Sequence, residues 1–247
     1  METRIPKKIH YIWLGDRPLD KVSIKCIDSW KKFLPDYEIV RWGDNECRSI
    51  IENNTYAKQA YENKKYAFVS DYIRLYVLYH YGGIYMDTDV QVFRTLDTFL
   101  NQGAFSCFEN EKQIPTALMA SEKGNEWVSM LLHDYDSRLF IDEEGKMDLT
   151  TNVVAITNLS LEWGLVPNGK EQILPSDVHI YTKDYFCPID TVSKKNDCFT
   201  ENTYAAHLYN GSWRSPMRQR LSSLKKRMGI NPDKIIPSWL LCLLRKI

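Results

Sequence analysis

The sequence predicts an α/β protein with a mostly parallel central sheet flanked by helices, and the first 42 residues carry two of the reasons. Residues 8–14 form an apolar run with the pattern of a buried strand, and a helical pattern follows at residues 20–33. Residues 37–42 then have the composition of a second strand. Strand and helix alternate in this way in parallel sheets, because the helix carries the chain back to the same edge.

The third reason is a long apolar segment at residues 66–83, which predicts a buried helix. It has no internal Gly or Pro and ends at the Gly82-Gly83 pair, a frequent helix terminus. Residues 84–86 are then expected to form a short strand. Further strands are predicted at residues 90–93, 104–108, 116–120, 178–181 and 205–208. Further helices are predicted at residues 125–139 and 153–163, and residues 45–61 are predicted to be helical in pieces.

The composition is that of a globular protein. The chain has 247 residues, 44% of them hydrophobic and 26% charged, which fits one large domain or two small ones. Its six cysteines include no C-x-x-C pair, which disfavours a zinc ribbon or a thioredoxin motif. The first residues contain no apolar signal segment, so we expect reduced thiols and a cytoplasmic location.

Charge is unevenly distributed, although the formal net charge is zero. Residues 214–247 hold nine Lys or Arg and one acidic residue, whereas residues 1–213 hold 23 Lys or Arg and 31 Asp or Glu. We therefore expect a catalytic domain over 1–213 and a basic, amphipathic helical tail over 214–247. The tail either rests on an anionic membrane surface, at the inner face of the membrane, or packs on the acidic domain. We expect no nucleic-acid partner.

The segment GGIYMDTDV places Asp87 and Asp89 directly after the predicted strand 84–86. In extended backbone, residues i and i+2 point to the same side, so the two carboxylates can converge on one cation. Mg²⁺ and Mn²⁺ take carboxylate oxygens and share their remaining positions with phosphates and water. The competing interpretation is a solvated turn, because two aspartates at this spacing are common.

Asp71 and Arg74 are the charged residues of the predicted buried helix. Their spacing of three places them on one helix face. The simpler interpretation is a structural ion pair, but a buried charged pair is costly unless something uses it. Because this helix leads into the aspartate strand, both residues are candidate site residues.

Three functions fit the aspartate pair. The first is an aspartyl phosphatase of the haloacid-dehalogenase type with Asp87 as nucleophile, since DTDV fits its D-x-D-x-[TV] pattern. That fold normally begins with the nucleophile strand and needs a later lysine and an acidic pair, whereas 86 residues precede Asp87. The second is sugar transfer from a nucleotide-diphospho-sugar, with a metal on the diphosphate. The third is a nucleotide- or carbohydrate-binding module without turnover.

Three segments carry a family resemblance: IPKKIHYIWLGD, SWKKFLPDYEIVRW and AFVSDYIRLYVLYHYGGIYMDTDV. Together they resemble glycosyltransferase family 32, a D-x-D group that includes yeast initiating α-mannosyltransferases and bacterial capsule and O-antigen transferases. Large clostridial glucosylating toxins are more distantly similar. The resemblance covers residues 5–97 well and has a weaker counterpart in HLYNGSW, residues 207–213.

The resemblance implies a GT-A fold, in which one Rossmann-like domain binds a UDP- or GDP-sugar together with Mn²⁺ or Mg²⁺. It places Trp13 on the nucleotide base, with Ile12 beside it, and Asp89, Asp87 and His207 around the metal. The implied contacts to the donor sugar, ribose or diphosphate are Asp71, Arg74, Tyr85, Asp87, Ser212 and Trp213. Asn152, at a predicted helix start, is interpreted either as an N-cap or as a sugar or acceptor contact.

The implied reaction is sugar transfer with retention of anomeric configuration. Negative charge builds on the leaving diphosphate, and a divalent cation stabilises it. The resemblance implies an oligosaccharide or polyprenyl-diphosphate-linked acceptor and a role in capsule or O-antigen synthesis. No side chain stands out as a covalent nucleophile, so the leaving phosphate is expected to take the proton of the acceptor.

Overall fold

A seven-stranded sheet forms the centre of the chain, in a computed structural model that describes residues 3–190 and 197–211. Its strands are β1 Lys8–Ile12, β2 Glu38–Trp42, β3 Gly83–Met86, β5 Ala104–Cys107, β6 Leu118–Ser121, β7 Gln172–Leu174 and β8 Val178–Tyr181. A two-stranded sheet joins β4 Val90–Val92 to β9 Ala205–His207. The α-helices are α1 Lys21–Phe33, α2 Asp44–Glu52, α3 Thr55–Glu62, α4 Tyr66–Tyr81, α5 Glu126–His133 and α6 Asn152–Glu162.

The central sheet has the strand order β2-β1-β3-β6-β5-β8-β7. Strands β1, β2 and β3 are parallel to one another, and β5 is parallel to β8. Because β6 is antiparallel to both β3 and β5, these five strands all run in one direction, and β6 and β7 run in the other. The predicted mostly parallel α/β sheet is therefore confirmed, with two antiparallel strands added.

Alternation along β3 shows how the sheet separates two layers. Tyr85 joins a buried cluster on the side of α2 to α6, whereas Ile84 and Met86 join a cluster on the side of α1. Side chains that alternate between two covered faces explain why these strands have continuous apolar sequences. Trp30 of α1 and Trp127 of α5 are fully buried in opposite layers.

The end of α4 is set by two glycines. Gly82 and Gly83 have φ angles of 66° and 104°, a region that side chains with a Cβ rarely adopt. A Cβ on Gly83 would also lie 2.7 Å from the carbonyl oxygen of Lys8. The pair therefore lets β3 begin directly after α4 and pack closely against β1.

Most predicted elements agree with the structure to within a few residues, and the differences have local causes. Residues 45–61, predicted to be helical in pieces, form two helices, because the Asn54 side chain accepts from Ala57 N and starts α3 as a new helix. The predicted helix at 125–139 ends as α-helix at His133. Strand β7 was not predicted, since it is only three residues long and pairs with β8 alone.

The boundary at residues 213 and 214 and the helical tail over 214–247 lie outside the described residues. A compact unit ends at Tyr209, and Asn210 and Gly211 are the described residues of a second unit. Among the described residues, no helix has the length and apolar character needed to cross a membrane.

Candidate functional site

The predicted site residues gather where β1 and β3 end. These strands are parallel neighbours, and their register pairs His10 with Tyr85. Trp13 follows the last residue of β1 and Asp87 follows the last residue of β3, so both leave the sheet at the same edge. The carboxyl edge of an α/β sheet is where loops diverge and ligands bind.

One half of the site, which we call the α4 half, consists of Asp71, Arg74, Tyr85 and Asp87. Arg74 Nη2 lies 2.9 Å from Asp71 Oδ1 and 3.6 Å from Asp87 Oδ1. Its guanidinium carbon lies 4.6 Å from the centroid of the Tyr85 ring, and Nη1 donates to the carbonyl of Thr116 at 2.6 Å. The Tyr85 hydroxyl donates to Asp87 Oδ1 at 2.6 Å. The predicted proximity of these residues is therefore present.

Burial sets the electrostatics of the α4 half. It raises the pKa of Asp71 from 3.8 to about 6, although the positive charge of Arg74 acts in the opposite direction. Burial disfavours the charge on Arg74, yet Tyr85, Asp87 and Asp71 together raise its pKa above the ordinary value. A fixed guanidinium between two carboxylates leaves carboxylate oxygens available to accept hydrogen bonds from hydroxyl groups.

Asn152 is the first residue of α6 and is buried behind Asp71. Its Nδ2 donates to the Asp71 carbonyl at 3.5 Å, and its Oδ1 accepts from the Tyr135 hydroxyl at 3.2 Å. Asn152 also contributes a hydrogen bond that lowers the pKa of Asp71. The N-cap position itself belongs to Thr151, so the N-cap interpretation of Asn152 is wrong by one residue. A sugar or acceptor contact by Asn152 stays a prediction.

The other half of the site, which we call the β9 half, consists of Asp89 and His207. Strand β4 pairs with β9 so that Val90 lies opposite His207, and Leu208 N donates to the Asp89 carbonyl at 2.9 Å. His207 Nε2 consequently lies 3.3 Å from Asp89 Oδ1. Asp87, Asp89 and His207 each present one ligand atom, and these atoms lie within 4.8 Å of one another.

His207 forms an ion pair with Asp89. Burial lowers the pKa of the imidazole, but hydrogen bonding to Asp89 and the nearby Cys187 thiol raise it well above its ordinary value. Its Nδ1 is buried, and the Cys187 thiol is its polar neighbour. Two carboxylates and one imidazole form a donor set that suits Mn²⁺, so the residues present fit a divalent cation.

Trp13 and Ile12 differ in exposure. Ile12 is buried in the layer of α4, while Trp13 is half-buried and its indole nitrogen donates to the Arg17 carbonyl at 2.6 Å. A cavity of about 550 Å³ opens beside the segment after Trp13, and Gly15, Arg17 and Arg41 contribute to its lining. Trp13 is thus available to a planar group at this edge, and the base contact stays a prediction. Ser212 and Trp213 lie outside the described residues.

Sequence reasoning missed three residues around His207. The Tyr209 ring lies 4.0 Å from the His207 ring, centroid to centroid, and the Tyr209 hydroxyl donates to Glu109 Oε1 at 2.9 Å. The same hydroxyl lies 3.8 Å from Cys187 Sγ. Tyr209 was within the matched HLYNGSW segment and offered a signal, but Glu109 and Cys187 carry no motif.

Comparison with known proteins finds glycosyltransferase sequences and structures that are similar to this chain. Residues 20–106 match the family model described as a glycosyltransferase sugar-binding region containing a DXD motif. Inositol phosphoceramide mannosyltransferase 3 of Schizosaccharomyces pombe is 32% identical over 135 residues, which are 53% of this chain and 37% of that protein. Mannosyl phosphorylinositol ceramide synthase SUR1 of Saccharomyces cerevisiae is 37% identical over 170 residues, 66% of this chain and 44% of that protein.

This chain thus spans well under half the length of these two relatives. Among solved structures, the PaToxG glycosyltransferase is 20% identical with a TM-score of 0.48, over 64% of this chain and 69% of that one. The family model includes α4, β3, Asp87 and Asp89, and the mixed α/β sheet agrees with the predicted GT-A fold. Residues 20–106 therefore carry a DXD-type glycosyltransferase region, and the chain is similar to glycosyltransferases of the family 32 type.

Proposed function

We propose that this protein is a metal-dependent, retaining glycosyltransferase that uses a nucleotide-diphospho-sugar as donor. The observation that carries the proposal is the convergence of Asp87, Asp89 and His207 beside the buried Asp71–Arg74 pair. A cation site next to fixed hydrogen-bonding groups is what a sugar diphosphate requires. The cation would be Mn²⁺ or Mg²⁺, held by Asp89 and His207 with Asp87 as a direct or water-mediated partner.

The residues of the α4 half would bind the donor sugar and the ribose. Asp71 and Asp87 accept hydrogen bonds from hydroxyl groups, and Arg74 keeps both carboxylates oriented. A bound cation supplies positive charge to the leaving diphosphate. In the proposed transfer, the bond from the anomeric carbon to the diphosphate oxygen breaks and a bond to the acceptor oxygen forms on the same face. The acceptor proton passes to the leaving phosphate oxygen, which balances the reaction without a protein nucleophile.

The acceptor is proposed to be an oligosaccharide or a lipid-linked glycan. Relatives named for inositol phosphoceramide support a lipid acceptor and a mannosyl donor. The motif resemblance supports a polyprenyl-diphosphate-linked acceptor in capsule or O-antigen synthesis. A panel of UDP- and GDP-sugars, each tested with phosphoinositol-lipid and polyprenyl-diphosphate acceptors, distinguishes these alternatives by the product formed.

Donor hydrolysis gives the direct test of the function. The wild-type protein is expected to release nucleotide from at least one UDP- or GDP-sugar in the presence of Mn²⁺, and chelation should stop the release. Asp89→Ala should reduce the rate by about 10³-fold or more, because the leaving diphosphate loses its counter-charge. Asp28→Ala removes an exposed carboxylate from α1 and serves as the control with unchanged rate. An active Asp89→Ala protein would refute the assigned metal site.

Thermal shift with UDP and GDP separates the competing functions. A glycosyltransferase should be stabilised by nucleotide only when Mn²⁺ is present, and it should also hydrolyse a donor. A phosphatase that uses Asp87 as nucleophile should show no nucleotide stabilisation and should release phosphate from a phosphomonoester. A binding module should be stabilised without any donor hydrolysis.

We further propose that the basic segment 214–247 attaches the protein to the inner face of a membrane. The support is the sequence alone, since nine of its residues are Lys or Arg and its apolar residues include Trp239 and Leu240. Flotation with vesicles of anionic phospholipid should recover the full chain. A chain that ends at residue 213 should stay in the unbound fraction, and equal recovery of both would contradict the proposal.

A further inference from the structure

His207 projects from the last residue of a three-residue strand, so its position depends on what surrounds its ring. On one side, Nε2 faces Asp89 Oδ1 at 3.3 Å. On the other side, Nδ1 is buried and its polar neighbour is the Cys187 thiol. A metal-binding histidine usually donates its second ring nitrogen to a carboxylate or carbonyl, which fixes the orientation of the ring. Among the described residues, no carboxylate or carbonyl takes this place at Nδ1, so the packing around the ring also contributes to its orientation.

Tyr209 packs directly on this imidazole. The two ring centroids lie 4.0 Å apart and the planes meet at 35°. A residue two positions along a strand normally points the same way but about 7 Å distant, too far for ring contact. The chain therefore departs from extended geometry after His207, and this departure brings the Tyr209 ring onto the imidazole.

The departure appears in the backbone of Tyr209, whose φ angle is 50°. A bulky residue in the left-handed region is an outlier, because its Cβ crowds the neighbouring carbonyl. Strain of this kind persists only where surrounding contacts fix it, and it concentrates at binding sites. The described part of the chain has three other non-glycine residues at positive φ, Lys64, Ser176 and Asp177. Of these four residues, Tyr209 is the one beside the proposed metal ligands.

Glu109 is the contact that fixes Tyr209. The Tyr209 hydroxyl donates to Glu109 Oε1 at 2.9 Å, across 100 positions of sequence. Glu109 follows the end of β5, which runs in the direction of β1 and β3, so it lies at the site edge of the sheet. Its own backbone N–H donates to the Gln113 carbonyl at 2.8 Å, which anchors the loop. Cys187 Sγ, buried and 3.8 Å from the Tyr209 hydroxyl, closes the remaining side.

We propose that Tyr209 and Glu109 are positioning residues for the metal site, in which Glu109 fixes the Tyr209 hydroxyl and the Tyr209 ring fixes the His207 imidazole toward Asp89. The inference rests on the proposed metal-dependent function and deepens it. Neither residue touches the cation in this scheme. They act by restricting His207 to the orientation in which Nε2 faces the carboxylates.

Mn²⁺ binding to the nucleotide-free full chain tests the proposal. Tyr209→Phe keeps the ring but removes the hydroxyl, and the Mn²⁺ Kd is expected to rise roughly tenfold, as for other groups that orient a metal ligand. Glu109→Ala should raise Kd to the same extent. Glu109→Gln keeps an oxygen acceptor and should stay within about threefold of wild type. The double variant Tyr209→Phe/Glu109→Ala should be no weaker than either single variant, because both remove one hydrogen bond.

Tyr37→Phe is the matched control. The Tyr37 hydroxyl donates to Asp97 at 2.8 Å, the same type of hydrogen bond in a part of the molecule without metal ligands. Its removal should leave the Mn²⁺ Kd unchanged. Pulsed EPR of bound Mn²⁺ supplies a second readout, since coordinated nitrogen modulates the signal. The modulation should be present in wild type, absent in His207→Ala and diminished in Tyr209→Phe.

The outcomes separate this inference from the function on which it rests. If Asp89→Ala binds Mn²⁺ like wild type, the assigned metal site fails and with it the proposed function. If Asp89→Ala and His207→Ala lose binding while Tyr209→Phe and Glu109→Ala keep the wild-type Kd and nitrogen modulation, the metal site stands and the positioning role is refuted. If Tyr209→Phe and Glu109→Ala bind weakly but Glu109→Gln does too, the hydrogen bond is not what Glu109 supplies and the proposal is overturned.

Discussion

In the α4 half of the site a buried guanidinium lies between two carboxylates, whereas the β9 half pairs one aspartate with a histidine beside Asp87. Arg74 bridges Asp71 and Asp87 and is supported by Tyr85. The ligand atoms of Asp87, Asp89 and His207 lie within 4.8 Å of one another. The α4 half is thus preorganised by its own residues, and the proposed role of the β9 half is to hold a cation together with Asp87. Variants in the two halves should therefore fail in different ways.

The largest expected effect on stability is in the α4 half. Arg74→Met removes the buried cation and leaves Asp71 and Asp87 without a counter-charge, so the free energy of unfolding should fall by about 3–5 kcal/mol. Urea unfolding at neutral pH measures the loss. Arg4→Met is the control, because Arg4 pairs with Glu122 and Asp177 at the surface and its loss should cost less than about 1 kcal/mol. Similar losses for both variants would contradict a preorganised α4 half.

Asp71→Asn should raise the free energy of unfolding above pH 6. The folded pKa of Asp71 is about 6 against 3.8 for the free side chain, so keeping it ionised in the fold costs up to about 3 kcal/mol. The neutral amide avoids this cost, so the variant should gain stability. It should also hydrolyse the donor more slowly, as expected where a functional residue is destabilising. Urea unfolding at pH 7.5, combined with the hydrolysis rate, measures both effects. A destabilised Asp71→Asn protein would mean that the Arg74 pair outweighs burial.

The gain in unfolding free energy on Mn²⁺ binding should differ between variants in the α4 half and variants in the β9 half. At a free Mn²⁺ concentration about 100 times Kd, the wild-type protein should gain about 2.7 kcal/mol against unfolding. Asp71→Asn keeps the β9 half intact and should gain a similar amount. His207→Ala lacks a ligand and should gain little at the same concentration. Differential scanning calorimetry with and without chelator gives the comparison, and equal gains for all three proteins would place the cation elsewhere.

The smallest effect concerns His10, a buried histidine of β1 outside both halves. Burial lowers its pKa below the ordinary 6.5, Lys8 lowers it further, and a hydrogen bond to Gly82 and the charge of Glu38 oppose them. The Trp42 indole donates to Nδ1 at 3.1 Å, so Nε2 carries the proton that is donated to the Gly82 carbonyl at 2.9 Å.

Because the unfolded chain binds the proton of His10 more readily, stability should fall as pH drops below 6.5. Asp71 has the opposite sign, since its raised folded pKa makes the fold bind more protons between pH 6 and 3.8. Asp71→Asn should therefore lose stability more steeply on acidification than wild type, and His10→Gln less steeply. Urea unfolding between pH 5.0 and 7.5 measures the slopes, and parallel slopes for all three proteins would contradict both assignments.

The α4 half could be predicted because it is local in sequence. Residues Asp71 to Asp89 span one helix, two glycines and one strand, so the helical spacing of Asp71 and Arg74 and the strand spacing of Asp87 and Asp89 are visible in the sequence. The alternation of strand and helix predicted a parallel sheet, and the structure added the pairing of β1 with β3 that brings Trp13 to the same edge. Family resemblance added the functional assignment to these residues.

In the β9 half, Asp89 could be predicted from its spacing to Asp87, but His207 could be predicted only through the resemblance, which did not show what holds it. Its contacts join residues that are 100 or more positions apart, such as His207 with Asp89 and Tyr209 with Glu109. The spacing of apolar residues does not predict such contacts, because it reflects local secondary structure and not which distant segments meet. Strand β7 was not predicted because its three residues are too few to show an alternation of apolar and polar side chains.

The sequence by itself determined the α/β class, the end of α4 at Gly82-Gly83 and the two aspartates of the site, because each depends on short-range geometry. Only the tertiary structure decided the antiparallel position of β6, the burial that raises the pKa of Asp71, and the placement of Tyr209 on His207. These features arise when segments that are distant in sequence exclude water together. These features therefore depend on the packing of the whole chain and could not be predicted from any one segment.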